Sequence, residues 1–242
     1  MTPPLFLRDD LGTPAVGEGV ILDGPEGRHA AVVRRIEVGE TIMIGDGRGF
    51  GVRGPVTAVT KTGLAMEVDE QLRAPRGSQQ FIVCQALAKG DRAELAIEML
   101  TELGVDEIYP WSARNCVVRW TPDRREKAHA RWVATVREAA KQSRRLTVPV
   151  VHPLASTIGV AHRMMDADLN LVLHEGATTS LADVKLPNYR GHVVIVVGPE
   201  GGITEDELAI FTATRGRAVS VSDGILRTST AGVVALAALK LR

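Results

Sequence analysis

The chain has 242 residues, enough for one large or two small domains at roughly 150 residues per domain. Its 29 basic and 29 acidic residues cancel, so no overall charge excess points to a nucleic-acid partner or to a solvating role. The apolar fraction of 45% and the charged fraction of 24% are typical of a globular protein with a real core, which excludes disordered and fibrous classes.

The sequence has no feature of a membrane or secreted protein. Its longest uncharged apolar runs, Val193–Val197 and Ala231–Leu239, are far shorter than the ~20 residues that cross a bilayer. Its N-terminus lacks the basic and apolar regions of a secretory signal. The two cysteines, Cys84 and Cys116, form no Cys-x-x-Cys pair and have no neighbouring histidine pair, so we expect two small buried residues. These features predict a cytoplasmic protein that binds no metal and no membrane.

The N-terminal region is rich in glycine and predicts short strands. Twelve of the 24 glycines lie between Gly12 and Gly63, and Asp46-Gly47 favours a tight hairpin turn. We therefore predict a small β-barrel or sandwich over residues 1–72, followed by a polar linker at Leu72–Gln80. The predicted elements of this region are strands at Gly19–Leu22, Thr41–Ile44, Val52–Val59 and Leu64–Val68 and a helix at His29–Arg35.

Residues 73–242 alternate between strand and helix patterns, which predicts an α/β domain with a mainly parallel sheet. The predicted strands are Phe81–Leu87, Val105–Trp111, Leu169–Leu173, His192–Val197 and Ala218–Val221. The predicted helices are Asp91–Leu103, Thr121 to about Arg145, Thr204–Gly216 with a capping box, and Thr230–Leu241. The last helix is apolar nearly all round, so it must be buried in a core or between subunits.

The strongest candidate site is the loop Gly198-Pro199-Glu200-Gly201-Gly202, which follows a buried strand and precedes a capped helix. Ligands of α/β sheets lie outside the carboxyl ends of strands, and glycine lets backbone amides approach them closely. The loop is neither a dinucleotide fingerprint nor a phosphate loop, and Pro199 removes a donor that an anion site would use. A neutral or cationic cofactor held by backbone groups fits better than a polyphosphate; a tight turn without a ligand is the alternative.

Two other strand ends carry similar loops. Ser222–Gly232 leads into the last predicted helix, and Leu173-His174-Glu175-Gly176 follows an apolar strand. His174 and Glu175 are either an ordinary loop pair or a catalytic dyad. Since parallel strands end at one edge of a sheet, the three loops predict a single crevice there.

Basic residues are concentrated on the predicted long helix. Between Arg119 and Arg145 there are nine basic and three acidic residues. A solvated helix face is the ordinary explanation of such a segment. Because this excess has one sign, we favour a nucleic-acid contact, where cations meet a phosphate backbone.

Several motifs in order resemble one known family, the ribosomal RNA small subunit methyltransferase E family of the SPOUT class. The resemblance covers nearly the whole chain. It rests on Lys89-Gly90-Asp91-Arg92, Thr101–Val105, Arg137–Arg145, His174-Glu175, Gly198–Gly202 and Ile225–Ala231, with His29-x-x-x-Val33-Arg34 and Asp46-Gly47-x-Gly49 earlier in the chain. Two departures stand out: Gly224 and Ser229 occupy positions where the family often has arginine and glutamate.

The resemblance implies a fold and an activity. The fold would be an N-terminal PUA-like β-barrel over residues 1–72 and a C-terminal SPOUT α/β domain with a trefoil knot over 73–242. The activity would be S-adenosylmethionine-dependent methylation of N3 of a uridine in 16S ribosomal RNA, carried out by a homodimer acting on the RNA or on the small ribosomal subunit. The alternatives are a non-catalytic RNA-binding or ribosome-assembly factor, and a SPOUT enzyme that acts on another RNA atom. An NAD-dependent oxidoreductase is disfavoured because its fingerprint is absent.

The resemblance also implies site residues. The cofactor would contact Leu173, His174, Gly198, Pro199, Glu200, Gly201, Gly202, Val221, Leu226, Arg227, Thr228 and Ala231. RNA would contact Arg34, Arg35, Lys89, Arg92, Arg137, Lys141, Gln142, Ser143, Arg144 and Arg145. Our mechanistic hypothesis is that Arg227 or Arg144 stabilises negative charge on the uracil ring while Glu200 or a water accepts the proton.

Overall fold

The computed structural model describes residues 3–75 and 77–242; Met1, Thr2 and, within the predicted linker, Arg76 lie outside this range. The chain divides into two compact units. The first comprises Met1–Arg76 and Glu138–Val148, and the second comprises Gly77–Arg137 and Pro149–Arg242. The segment Glu138–Val148 thus groups with the N-terminal residues, although it follows the predicted long helix in sequence.

The first unit is built on a six-stranded sheet with the order β1-β3-β4-β5-β2, in which β6 also pairs with β4. The pairing of β1 with β3 is parallel, and the other pairings are antiparallel. The elements are β1 (Leu5–Leu7), β2 (Gly19–Leu22), α1 (Gly24–Arg28), a π-helical segment (His29–Val33), β3 (Thr41–Gly45), β4 (Phe50–Val59), β5 (Leu64–Glu67) and β6 (Glu70–Arg73).

Strand β4 joins the two halves of this sheet. Its beginning, Phe50–Arg53, pairs with β6, and its end, from Val56, pairs with β5. The register shifts between Val56 and Ala58, where an irregularity bends the strand. Apolar side chains from both halves, such as Ile42, Val52 and Met66, are fully buried and form one core.

The predicted elements of the first unit are largely confirmed, but β1 was not predicted and two predicted segments need correction. The helix predicted at His29–Arg35 begins at Gly24 instead, because Pro25 occupies its first turn, and it continues as the π-helical segment. Both ends of the predicted linker belong to strands. Leu72 and Arg73 lie in β6, which begins at Glu70 and which we did not predict, and Gln79 and Gln80 begin the next strand, Gln79–Ala86. Three of the four side chains of β6 are exposed and Leu72 is only half-buried, so β6 lacks the apolar alternation that would predict a strand.

The second unit contains a six-stranded sheet in which every pairing among the described residues is parallel, with the order β12-β10-β11-β7-β8-β9. This confirms the predicted parallel α/β architecture. Its strands are β7 (Gln79–Ala86), β8 (Glu107–Trp111), β9 (Val150–Val151), β10 (Leu169–Leu173), β11 (Gly191–Val197) and β12 (Gly216–Val219). Its helical elements are α2 (Arg92–Glu102), α3 (Pro122–Gln142), of which the part up to Arg137 belongs to this unit, α4 (Thr157–Met165), a 3₁₀ turn (Leu181–Asp183), α5 (Glu205–Ala213) and α6 (Thr228–Lys240).

Several boundaries differ from the predictions. Helix α3 ends at Gln142, three residues before the predicted end. Helix α5 ends at Ala213, and its predicted last residue, Gly216, is instead the first residue of β12. Strand β9 and helix α4 were not predicted. Ser156 caps α4 by accepting a hydrogen bond from the Gly159 N–H at 3.1 Å, a signal that the sequence contains but that the short apolar pattern obscured.

The register brings three loops to one edge of the sheet. Leu173, the last residue of β10, pairs with Val197, the last residue of β11, and with Val219, the last residue of β12. The loops that follow these strands therefore emerge side by side. Helix α6 packs against β7, β11 and α2, as expected for its apolar surface.

Both cysteines are buried, as predicted, and burial raises the pKa of the Cys84 thiol to about 12. Across the described residues, no helix has the length and apolar character needed to span a bilayer.

Candidate cofactor pocket and basic surfaces

A cavity of about 260 Å³ lies where the three strand-end loops meet. Apolar side chains such as Leu173, Val197 and Leu226 line it together with the glycine loop and the start of α6. A smaller lobe of about 70 Å³ adjoins it and shares Leu173, Glu175, Ile225, Leu226 and Ala231 with it. The predicted crevice is therefore present, and packed side chains do not fill it.

The glycine loop is shaped by backbone contacts that larger residues would disturb. Gly202 has a φ of +75°, a region that L side chains rarely adopt. A Cβ on Gly201 would lie 2.9 Å from the Cβ of Asn115. The Asn115 side-chain amide donates to the carbonyls of Gly201 at 3.0 Å and of Gly202 at 3.1 Å, which fixes the loop against the segment after β8.

A buried carboxylate anchors the helix that follows this loop. One Glu207 oxygen accepts hydrogen bonds from the Arg114 N–H and the Thr157 hydroxyl, and the other accepts from the Thr204 N–H and hydroxyl. Burial opposes the charge on Glu207, but these hydrogen bonds outweigh it and lower the pKa of this carboxyl. The network ties α5, α4 and the segment after β8 together.

The cavity offers unpaired backbone donors. No described residue accepts a hydrogen bond from the N–H groups of Glu200, Leu226 and Arg227, which line the cavity, or from that of the adjacent Gly201. The acidic residues Glu175 and Glu200 and the basic residues Arg92 and Arg227 are also part of its lining. Such a mixture suits a ligand with neutral acceptor atoms and separate positive and negative groups.

Eleven of the twelve predicted cofactor contacts line the cavity or its smaller lobe, and Gly201 lies directly behind, against Asn115. The predicted cofactor contacts did not include Arg92, which was predicted only as an RNA contact, or Glu175, which was predicted only as part of a crevice loop. Ile203 and Asn115 were not predicted at this site. Asn115 follows β8 with no recognisable motif, so nothing local in the sequence singles it out. His174 is oriented by its own loop, because its Nδ1 accepts from the Gly176 N–H at 3.1 Å.

Two of the three catalytic candidates lie at the cavity. Arg227 caps the start of α6 with an exposed side chain that has no hydrogen-bond partner among the described residues. Glu200 accepts a hydrogen bond from the Lys89 N–H at 3.1 Å. The third candidate, Arg144, belongs to the first unit, where its Nε donates to the Pro3 carbonyl at 3.0 Å.

The candidate RNA contacts fall on both units. In the first unit, Arg34, Arg35, Gln142 and Arg144 are exposed, whereas Ser143 and Arg145 are half-buried. The Ser143 hydroxyl donates to the Ala139 carbonyl at 2.7 Å. In the second unit, Lys89 and Arg92 are exposed and Arg137 is half-buried.

Lys141 differs from the other candidate RNA contacts because its ammonium group is buried. It lies 2.8 Å from Glu26 and 2.7 Å from Glu138, and its side chain is only 8% exposed. Desolvation disfavours its charge, but the two carboxylates outweigh this and raise the pKa of Lys141. The geometry favours a role in holding α1 to the end of α3 within the first unit rather than a phosphate contact.

Within residues 3–75 and 77–242, no cluster of three or more His, Cys, Asp or Glu side chains is placed to hold a metal ion.

Comparison with known proteins identifies the family. Residues 75–240 match the RNA methyltransferase domain family. The chain is 42% identical to the ribosomal RNA small subunit methyltransferase E of Mycobacterium bovis over 99% of this chain and 92% of that protein. The chain belongs to this family. It is also 31% identical to the Bacillus subtilis protein of the same description over 90% of this chain and 88% of that protein.

A solved structure extends the comparison to the fold. A ribosomal RNA small subunit methyltransferase E from Neisseria gonorrhoeae, crystallised with bound S-adenosylmethionine, is 28% identical and superposes with a TM-score of 0.87, over 99% of this chain and 98% of that one. The resemblance drawn from the ordered motifs is therefore confirmed, as is the mixed α/β fold.

Proposed function

We propose that this protein is an S-adenosylmethionine-dependent methyltransferase that methylates N3 of a uridine in 16S ribosomal RNA. The observation that carries the proposal is the cavity formed by the loops after β10, β11 and β12. Two relatives that cover most of this chain are named as small-subunit ribosomal RNA methyltransferases, and a structural neighbour was crystallised with S-adenosylmethionine.

The residues of the cavity fit this cofactor. The unpaired N–H groups at Leu226 and Arg227 match the acceptor atoms of an adenosine, and Leu173 and Val197 supply apolar surface for its base. Glu175 and Glu200 are available to a cationic sulfonium or amino group, and Arg92 is available to a carboxylate. The cavity thus offers complementary groups for each part of the cofactor.

The bound cofactor supplies an electrophilic methyl group, and the protein supplies position and charge. Transfer needs an in-line approach, so most of the rate enhancement comes from orientation. N3 of uridine carries a proton that must leave, which places negative charge on the imide oxygens. Arg227, whose guanidinium has no partner among the described residues, stabilises that charge, and Glu200 or a water accepts the proton. Arg144 is the alternative cation.

Each unit carries proposed RNA contacts. Those of the first unit are Arg34, Arg35, Gln142, Ser143, Arg144 and Arg145, and those of the second are Lys89, Arg92 and Arg137. The target base must leave the stack to reach a cavity of this kind, as base-modifying enzymes require. The substrate is either free 16S ribosomal RNA or the assembled small subunit, and a cytoplasmic location follows from that substrate.

The finer architecture is also a proposal. The mainly antiparallel sheet of the first unit is consistent with a PUA-like barrel over residues 1–72, and residues 73–242 with a SPOUT domain. The trefoil knot is part of the same proposal; the segment it would involve leads from β12, at the sheet edge beside β10, to α6, which packs against β7 and β11. Val234 of α6 is 38% exposed, which leaves part of this apolar helix for a second subunit in a homodimer.

Nucleoside mapping tests the proposal. We expect 16S ribosomal RNA from a strain lacking the gene to lack one N3-methyluridine, and re-expression to restore it, as measured by mass spectrometry of nuclease fragments. Restoration of a different methylated nucleoside would indicate a SPOUT enzyme with another target atom. An unchanged RNA, together with binding of RNA but not of S-adenosylmethionine in calorimetry, would indicate the non-catalytic alternative.

A further inference from the structure

A second cavity lies in the same unit, outside the proposed cofactor site. It has a volume of about 620 Å³, within the range of about 300–1,000 Å³ that ligand sites occupy. We call it the Trp120 cleft. Two segments line it: the turn between β7 and the first residues of α2, and the segment from Val118 to Trp132 that includes the first turns of α3.

The cleft contains an aromatic surface. Trp120 is half-buried, and Trp132, which is buried, meets it edge to face with ring centroids 5.2 Å apart and an interplanar angle of 86°. Trp132 thereby holds the Trp120 ring in place. No described residue accepts a hydrogen bond from either indole N–H. A fixed indole with an unused donor at the edge of a cavity is suited to a flat heterocycle that carries acceptor atoms.

The charged side chains of the cleft are mostly cationic. Its lining includes Arg119, Arg124, Lys127 and Arg131, with Glu94 as the one carboxylate among the described lining residues. Glu94 pairs with Arg131 at 3.0 Å. Lys127 is exposed and has no partner in the described part of the chain. Arg119 donates to the neutral carbonyls of Ala113 and Arg114, so its charge is not compensated.

The remaining cation, Arg124, has only a weak partner. Its Nε lies 3.6 Å from Asp123, and both side chains are more than 70% exposed, where an ion pair contributes little. The cleft therefore retains a net positive field around an aromatic ring.

One turn of the chain lies between this cleft and the cofactor cavity. Leu87, Ala88, Gly90 and Ala93 line the cleft. From the same turn, Arg92 lines the cofactor cavity, and the Lys89 N–H donates to Glu200. An extended ligand that places one group in the cofactor cavity can therefore place a neighbouring group in the cleft.

We propose that the Trp120 cleft binds an unstacked nucleotide of the RNA that flanks the methylated uridine, with its base on Trp120 and its phosphates near Lys127 and Arg124. This inference rests on the proposed function, since it takes RNA as the substrate. Cations combined with an aromatic platform are the arrangement that proteins use for single-stranded nucleic acid. An acidic peptide would satisfy the cations but would not use the flat ring.

The test measures binding of a 16S ribosomal RNA transcript by filter retention, over a series of salt concentrations. Trp120→Ala is expected to weaken binding by roughly 5- to 150-fold, the range measured for loss of one base–aromatic stack, without changing the salt dependence. Trp120→Phe should retain most of the affinity. Lys127→Ala should reduce the slope of log affinity against log salt by about 0.7, the value for one phosphate contact on a single strand.

Controls separate this proposal from the proposed function. Tyr189→Ala removes an exposed aromatic ring outside the cleft, and Arg217→Ala removes an exposed cation outside it; both should bind RNA as the wild type does. S-adenosylmethionine affinity of Trp120→Ala, measured by calorimetry, should be unchanged. If the wild type transfers methyl groups but Trp120→Ala binds RNA normally, the cleft proposal is wrong and the proposed function stands.

Two other results would also overturn the cleft proposal. Loss of the dimer in light scattering of Trp120→Ala would make the cleft a subunit interface. Weaker binding to the assembled small subunit, with unchanged binding to the bare transcript, would make its occupant a protein. Absence of methyl transfer by the wild type would instead contradict the proposed function.

Discussion

The cofactor cavity and the Trp120 cleft both lie in the second unit, but backbone groups shape the first and side chains shape the second. The cofactor cavity is shaped mainly by backbone: three loops at strand ends, a glycine with a φ of +75°, and unpaired N–H groups. The Trp120 cleft is shaped by side chains, with two indoles and four cations. A backbone-built site depends on residues that are small, whereas a side-chain-built site depends on residues that are large. We therefore expect that enlarging a glycine damages the cofactor cavity, whereas truncating a large aromatic or basic side chain damages the Trp120 cleft.

Arg227 should produce the largest effect, because it is the cation of this cavity to which we assign the stabilisation of transition-state charge. Arg227→Ala is expected to reduce the single-turnover rate of methyl transfer by about 10²- to 10³-fold, the usual effect of losing one group that stabilises transition-state charge. S-adenosylmethionine affinity should fall far less. Arg227→Lys should recover part of the rate. An equal loss in affinity and in rate would show that Arg227 only binds the cofactor.

Substitution of Gly202 tests whether cofactor binding depends on the backbone conformation of the glycine loop. Gly202→Ala forces a Cβ into a left-handed conformation, at about 1–2 kcal/mol, and should weaken S-adenosylmethionine binding by about tenfold in calorimetry. Gly19→Ala is the matched control, because its Cβ would meet no atom within 4 Å and its backbone is not left-handed. Cofactor affinity that is unchanged in Gly202→Ala would contradict the account of the loop.

Glu207 accepts the hydrogen bonds that hold the start of the helix after the glycine loop. Glu207→Gln is expected to lower the free energy of unfolding by about 1.5–3 kcal/mol, since the charged acceptor of several hydrogen bonds is lost. Urea denaturation measures this. Glu205→Gln, on the first turn of the same helix, should lower it by only about 0.3–1 kcal/mol through the helix dipole.

The pKa of Glu207 gives a pH dependence. Because the folded-state pKa is lowered, the stabilisation is complete above the unfolded value of about 4.3 and is lost as the pH falls through the folded-state pKa. The wild type should therefore lose stability in acid more steeply than Glu207→Gln. If the free energy of unfolding falls equally with decreasing pH in the two proteins, the hydrogen-bond network assigned to Glu207 is wrong.

Lys141 should produce the smallest effect on RNA binding. Lys141→Ala is expected to leave the affinity for the 16S transcript nearly unchanged while lowering the free energy of unfolding by about 1–2 kcal/mol, because its ammonium group is held by Glu26 and Glu138. Its raised pKa predicts that this stabilisation is present below the ordinary lysine value and is lost as the pH rises through the folded-state pKa. A large loss of RNA affinity with unchanged stability would restore Lys141 to the RNA surface.

The elements that the sequence predicted well are those with strong local patterns. The uniformly apolar run Leu169–Leu173 is a strand with the predicted bounds, because a strand buried on both faces needs no alternation. Thr204 and Glu207 form the predicted capping box. Strands β1 and β9, with three and two residues, are too short to show a period, and pairing with neighbours distant in sequence defines them.

The two cavities also differ in how far they could be predicted from the sequence. The loops of the cofactor cavity could be predicted because each follows a recognisable strand and carries glycine, so the register alone brings them together. The Trp120 cleft could not, because its two lining segments have no shared motif and meet only through tertiary packing. The local charge excess indicated a basic helix but not the cavity beside it.

The most direct test of the central claim is methyl transfer in vitro. Purified protein is incubated with isotopically labelled S-adenosylmethionine and small ribosomal subunits from a strain lacking the gene, and the nucleosides are identified by mass spectrometry. We expect label in N3-methyluridine at a single 16S position, with little transfer by Arg227→Ala. Label on a ribose hydroxyl or another base, or no label with active cofactor binding, would contradict the account.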